Sequence, residues 1–302
     1  MPQTPCQTPP QPGTLPQGQI RLIRADNPSR LTGPGTNTYL LGRGAVTVID
    51  PGPDLDSHLA ALLGALQAGE HIAHILLTHA HLDHSALIPR LKAVTGAEVL
   101  AFGPAHAGRS PVMTRLAAQG LTGGEGADTA FRPDRLITDG QPLFLSGLHL
   151  TAWHLPGHMG CHMGYAWGDV LFSGDHVMAW STSLVSPPDG DMSAYMSSLQ
   201  RLQSRSWSRF HPGHGDPVDD PQARLATLIQ HRQSREAAIL ASLDISGPAD
   251  AATLAARIYT DTAVALLPAA TRNVLAHLID LQHRGLIAAP PGPVLPTIFQ
   301  LK

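Results

Sequence analysis

The stretch THAHLDHS, Thr78 to Ser85, places His79, His81, Asp83 and His84 within six residues. The three imidazoles would repel one another if all were charged, and buried without partners the four side chains would cost desolvation free energy. Bound cations remove both penalties. His79 and His81 are two apart, so on an extended segment they point the same way. Asp83 and His84 lie at the entry to a following helix and face a second point nearby. That spacing suits two adjacent metal ions. A single structural zinc would be closed by four ligands, usually including Cys, and no Cys lies in the cluster.

Three later pieces match in kind. LPGHMG puts His158 just after a strand, with Gly157 permitting close backbone approach. LFSGDH puts Asp175 at the end of a buried strand, where an unpaired carboxylate would be costly. HPGHGD puts His214 in a Gly-flanked loop. All four pieces sit at strand C-termini or in the loops that follow, where open α/β sheets assemble their sites.

His-x-His-x-Asp-His, followed in order by Pro-Gly-His, Ser-Gly-Asp and Gly-His-Gly, resembles the metallo-β-lactamase superfamily. The resemblance implies an αββα sandwich of two sheets between helix layers. It assigns one metal to His79, His81 and His158 and the other to Asp83, His84 and His214, with Asp175 bridging both. Two such cations lower the pKa of a shared water from about 15.7 to about 7, so the expected chemistry is hydrolysis by a metal-bridging hydroxide. Asp83 is the expected catalytic carboxylate, its free oxygen orienting the nucleophile or shuttling its proton. Nitrogen and oxygen ligands without thiolate suit Zn²⁺ best, with Mn²⁺ and Fe²⁺ compatible. His162, four residues after His158, is placed to touch a ligand or the substrate and is read as a substrate contact, and His211 as a residue behind the ligands or at the rim.

GPGTNTYLLG (33–42), the IDPGP turn (49–53), HMGYAW, HPGHG, HRQSREAAIL (231–240) and NVLAHLIDLQHRGLI (273–287) are similar to the β-lactamase-like protein 2 family. That resemblance implies a C-terminal winged-helix-like domain and, from the animal member, an endoribonuclease acting on single-stranded RNA. The residues themselves support this less well. Residues 218–302 hold seven Arg/Lys against seven Asp/Glu, so the module lacks a basic footprint. Aromatics are 5% of the chain, too few to suggest a base-stacking platform. The alternative is an ester, thioester or lactone hydrolase of glyoxalase II or lactonase type. A di-iron redox role is disfavoured, because His81 stands where flavodiiron proteins of this fold carry Glu. Many relatives carry Gly-Gly after the His cluster, whereas this chain has Ala86-Leu87.

The elements that must position these residues divide the chain into three expected parts. Residues 1–19, rich in Pro, Gln and Thr, read as a disordered leader. Residues 20–217 interleave strands with helices, as in an α/β layered domain. A helix reaching from Leu55 to a C-cap at Gly69 and another over about Ser85–Thr95 flank the strand that carries the cluster. Residues 218–302 read as three helices and a small hairpin, the winged-helix outline, expected to cover the site's mouth or form a homodimer contact. The net charge of −3 predicts no strong attraction to phosphate backbones or anionic membranes. No apolar run is expected to approach a membrane span. Cys6 and Cys161 imply no disulfide framework, which fits a reducing compartment and a cytoplasmic location. Cys161 reads as a small buried hydrophobe, and Arg201, Arg205 and Arg209 as the solvated face of a helix.

Overall fold

The computed structural model describes residues 20–123, 126–290 and 297–302. The expected leader and the Pro/Gly turn of the terminal hairpin lie outside these. The first sheet is β1 (Ile20–Arg24), β2 (Asn37–Leu41), β3 (Ala45–Ile49), β4 (His71–Leu76), β5 (Glu98–Ala101) and β6 (Arg135–Leu136), side by side in chain order. It is antiparallel as far as β3 and parallel from there to β6. The second runs β11 (Arg209–Pro212), β10 (Val170–Gly174), β9 (Met163–Trp167), β8 (Leu148–His154) and β7 (Pro142–Leu145), with β10 and β11 parallel.

Strand alternation builds the layers, because successive side chains point to opposite faces. Tyr39, Leu41 and Ile49 of the first sheet meet Leu143, Leu145, Met163, Tyr165 and Phe172 of the second in a core between the sheets. Their neighbours Leu40, Val46 and Val48 face outward against Leu62 of α1 (Asp56–Gly64) and Ile88 and Leu91 of α3 (Ile88–Thr95). On the far side, Leu171 and Phe210 pack under α5 (Met192–Gln203) and the first half of α6 (Pro221–Ser246), through Leu199, Leu202, Leu225 and Leu228. This is the αββα sandwich. The second half of α6 joins α7 (Ala251–Ile258), α8 (Leu267–His283) and the β12 (Ile287–Ala288) and β13 (Gln300–Leu301) pair around a separate core that includes Leu243, Leu254, Val274 and Leu278.

Several expectations need correction. α1 stops at Gly64, because Gln67–Glu70 forms its own turn: the Glu70 carboxylate accepts from the Gln67 N–H at 2.9 Å and pairs with Arg21 at 2.6 Å. The helix expected over 85–95 is two pieces, a single turn α2 (Leu82–Ser85) and then α3. Pro89 is the reason, since its ring clashes with the carbonyl four residues back. Strand β7 was not anticipated in the sequence; only two of its four residues are buried. Ala86 and Leu87 continue in right-handed helical conformation, and Leu87 is fully buried. α5 ends before Arg205, so the three arginines share no helix face; Arg201 and Arg205 instead lie over the Trp153 ring. Finally, Val264–His283 is long and apolar enough to cross a membrane by length and composition, contrary to expectation. It is a core helix here, with Val274, Leu275, Leu278 and Leu281 buried.

Candidate metal centre

The cluster begins where β4 ends. Thr78 and His79 continue past the strand, and His81 is the extended residue that precedes α2. Its carbonyl accepts from the backbones of His84 and Ser85, both at 2.9 Å. That one helical turn swings Asp83 and His84 aside from His79 and His81. The loop 126–128 braces the same turn: Leu82 N–H donates to the Gly126 carbonyl at 2.7 Å, and Ser85 Oγ to Asp128 at 2.8 Å.

His158, Asp175 and His214 arrive from the second sheet. Asp175 follows Gly174 at the end of β10, and His214 follows β11. Asn37 and Tyr39 tie the His214 loop to the first sheet: Asn37 Nδ2 reaches the carbonyls of Pro212 (3.0 Å) and Gly215 (2.8 Å), and Tyr39 OH that of Pro212 (2.7 Å). This gives the TNTYLL segment its structural purpose. Gly213 is required by close approach, since a Cβ there would lie 2.4 Å from Asp175 Oδ1.

All seven expected residues converge. His81 Nδ1 lies 3.0 Å from both His79 Nε2 and His158 Nε2. His214 Nε2 lies 3.3 Å from His84 Nε2 and 3.2 Å from Asp83 Oδ2. Asp175 stands between the two groups, with Oδ2 at 3.3 Å from His214, 3.9 Å from His158 and 4.0 Å from His79, and Oδ1 at 3.5 Å from His84. Three sets of ligand atoms therefore lie close enough to share an ion: His79–His81–His158, His79–His84–Asp175 and Asp83–His84–His214.

The electrostatics divide along the same line. Burial pushes His79, His81 and His158 down, His81 to about 3, so these imidazoles are neutral and present lone pairs. Burial also acts to raise the Asp83 carboxyl, but His84 and His214 outweigh it and hold it at about 2. Burial likewise acts against protonation of His214, yet Asp175 and then Asp83 push it up to about 9. Two carboxylates facing two imidazoles thus demand positive charge at this point.

Asp50 was missed as a site residue. Its carboxylate accepts from Thr78 N–H and Thr78 Oγ1, each at 2.7 Å, and lies 3.0 Å from His84 Nδ1. Thr78 Oγ1 is in turn 2.9 Å from His79 Nδ1. One buried carboxylate therefore orients ligands in both groups. The IDPGP turn was the available signal, and Asp50 adopts φ of 52°, uncommon outside glycine.

His162, expected at the substrate, lies behind the ligands instead. It is fully buried, stacks on His79 at 5.0 Å, and accepts from Asp175 N–H at 3.2 Å. It props the ligands and faces no cleft. Of the two places open to His211 the structure gives the inner one: it packs between Tyr39 and Phe172. Cys161 is buried, and burial pushes its thiol up to about 11, consistent with an inert core residue.

A cleft of about 120 Å³ opens over the cluster, lined by His81, Asp83, His158, Asp175 and His214 below and by Arg30, Leu31, Met178, Ser181, Thr182 and Leu184 above. Among the described residues none of these comes from 218–302, so no described residue of the C-terminal domain lines the mouth it was expected to cover. A larger cavity of about 620 Å³ lies between α4 (Pro111–Ala118) and the C-terminal domain, with none of the seven residues in its wall.

Comparison with known proteins agrees with this geometry. The profile of the metallo-beta-lactamase superfamily matches residues 31–214, from just before the Asn37 and Tyr39 anchors to His214. The chain belongs to the metallo-β-lactamase superfamily. A beta-lactamase associated winged helix domain matches residues 251–290. A lactamase-like protein, adaB, from Aspergillus niger is 32% identical over 75% of this chain, which spans 64% of that protein's length. A beta-lactamase-like protein 2 homolog from Drosophila melanogaster is 31% identical over 88% of each chain. An atrochrysone carboxyl ACP thioesterase from Cryptosporiopsis sp. is 29% identical over 74% of this chain and 63% of its own. Among solved structures, a metallo-beta-lactamase family protein from Thermus thermophilus superposes with a TM-score of 0.74 at 25% identity, covering 94% of this chain and 99% of its own. The metallo-β-lactamase fold implies divalent metal binding, and the three ligand sets are where this chain offers it.

Proposed function

We propose that this protein is a dinuclear zinc hydrolase of an acyl thioester or ester, with His79, His81 and His158 holding one ion, Asp83, His84 and His214 the other, and Asp175 shared. The donor spacing fits. A tetrahedral zinc with Zn–N of about 2.0–2.1 Å sets its ligand atoms about 3.3 Å apart, and the closest pairs here are 3.0 and 3.3 Å apart. One proton of His81 Nδ1 cannot serve both nitrogens beside it, whereas one cation can. When bound, two divalent ions would acidify water to ionise near neutral pH and polarise the scissile group.

The chain's own residues supply the rest. Asp83 is the ligand carboxylate turned to the cleft, its side chain 30% exposed against 11% for Asp175. Ionised at neutral pH, it would accept a hydrogen bond from the attacking water, aim its oxygen and be placed to take its proton. His158 and His214 keep their Nε2 atoms inward because Nδ1 of each lies near a carbonyl, Leu184 at 2.6 Å and Gly35 at 3.2 Å. Thr38 and Asp50 fix the floor from behind.

The cleft wall carries the choice of substrate. It is far smaller than the roughly 300–1,000 Å³ that whole ligands fill, so it admits the scissile group and leaves the remainder outside. Its upper wall is Leu31, Met178 and Leu184, with Ser181 and Thr182 and one cationic side chain, Arg30. An acyl group fits apolar walls, whereas RNA affinity rests on several cations neutralising phosphates. The thioesterase relative supports the same reading. Single-stranded RNA, implied by the β-lactamase-like protein 2 resemblance, is the alternative.

The test is one metal-quantified preparation assayed against an acyl-pantetheine thioester, a lactone and single-stranded RNA. Thioester turnover that disappears on chelation and returns with zinc, with RNA left intact, is the expected result. RNA cleavage that is lost in Asp83→Ala, with no thioester turnover, would overturn the substrate assignment.

A further inference from the structure

We infer that Arg232 and Asn273, from the two longest C-terminal helices, are positioning residues for the metal centre, acting through the segment Ser183–Val185. Arg232 on α6 is 1% exposed, the largest fully buried side chain among the described residues. Its guanidinium donates to the Ser183 carbonyl and, at 3.1 Å, to Asn273 Oδ1, and lies 5.2 Å from the centre of the Tyr195 ring. None of these partners is a carboxylate. A buried cation so compensated is a costly way to fill a core, which points to a task in what it holds.

Asn273 on α8 completes the clamp. Its Oδ1 also accepts from Val185 N–H at 3.0 Å. The preceding residue, Arg272, donates to Ser186 Oγ at 2.8 Å and to the Pro187 carbonyl. The C-terminal side therefore pins the segment at Ser183 and Val185 and the chain just beyond it. What the segment touches on its other side is the centre. Ser183 Oγ donates to the Asp175 carbonyl at 2.5 Å, and the Leu184 carbonyl accepts from His158 Nδ1 at 2.6 Å. The second contact places the proton on Nδ1 and so leaves Nε2 unprotonated toward His81, the tautomer a metal ligand needs.

The C-terminal helices thus reach the site from behind, through two side chains, without lining the cleft. The two C-terminal sequence features noted above, HRQSREAAIL and NVLAHLIDLQHRGLI, contain these residues. This inference rests on the metal-centre reading.

The experiment titrates metal-free full-length protein with zinc against a chromophoric chelator and records the thermal unfolding of each metal-free variant. Asn273→Leu keeps the volume but removes the acceptor, and is expected to weaken zinc binding about 10- to 100-fold, the usual scale for losing a residue that orients a ligand. Asn273→Asp keeps both accepted hydrogen bonds and should restore near wild-type affinity. Arg232→Lys, which keeps the charge but not the forked donor, should weaken binding in the same direction. Leu278→Ala, fully buried in the same helix but remote from the segment, should lower the unfolding temperature and leave zinc affinity unchanged. Wild-type affinity in Asn273→Leu and Arg232→Lys, or an equal loss in Leu278→Ala, would overturn the inference. Wild-type protein that binds no zinc would instead refute the metal-centre reading beneath it.

Discussion

Asp175→Ala is expected to leave neither metal tightly held and to lower hydrolysis by about 10³-fold or more, at least the scale of removing one electrostatic element from a reacting centre. Among the described residues, this is the carboxylate that approaches members of both ligand sets, lying within 4.0 Å of His79, His84, His158 and His214. Its loss leaves the two groups of imidazoles without the carboxylate that stands between them. Elemental analysis of the purified variant, alongside turnover, reads the effect. Asp175→Asn keeps the shape and removes the charge, so it should fold as the wild type does and still lose metal. Full metal content with full activity in both variants would contradict the assignment.

The second large effect belongs to Asp50, which touches no substrate. Asp50→Ala would leave Thr78 N–H and Oγ1 buried without acceptors, at about 1–3 kcal/mol each. The sum, about 2–6 kcal/mol, is a sizeable part of a domain's stability. It would also free the His84 ring, and with it the Thr78 hydroxyl that steadies His79. Metal affinity is expected to fall about 10- to 100-fold. Denaturant unfolding of the metal-free protein and a zinc titration separate the two consequences. A stability loss without an affinity loss would reduce Asp50 to a core residue.

The candidate ligands that converge in the structure were legible in the sequence because their chemistry is local. Residue type, spacing and position at a strand end are each written in a few consecutive residues, as in THAHLDHS and LFSGDH. The strands were legible as short runs such as TNTYLL and AVTVID, and the layered sandwich was implied by the family resemblance that the motifs carry. What stayed hidden depends on contacts between distant segments. Asp50 becomes an orienting residue only when β3 and β4 lie side by side and bring it to Thr78 and His84. His162 resembled a substrate contact by its spacing from His158, but the turn of chain between them carries it beneath His79. Arg232 and Asn273 lie 41 positions apart and meet a segment 49 and 88 positions away from them. No window along the sequence contains that arrangement. α1's early stop is of the same kind, since it follows from Glu70 meeting Arg21 of another strand.

The most direct test of the central claim is an anomalous difference map from a crystal of the zinc-loaded protein. Two peaks are predicted, one among His79, His81 and His158 and the other among Asp83, His84 and His214, with Asp175 contacting both. A single peak, or zinc bound away from these residues, would contradict the dinuclear centre.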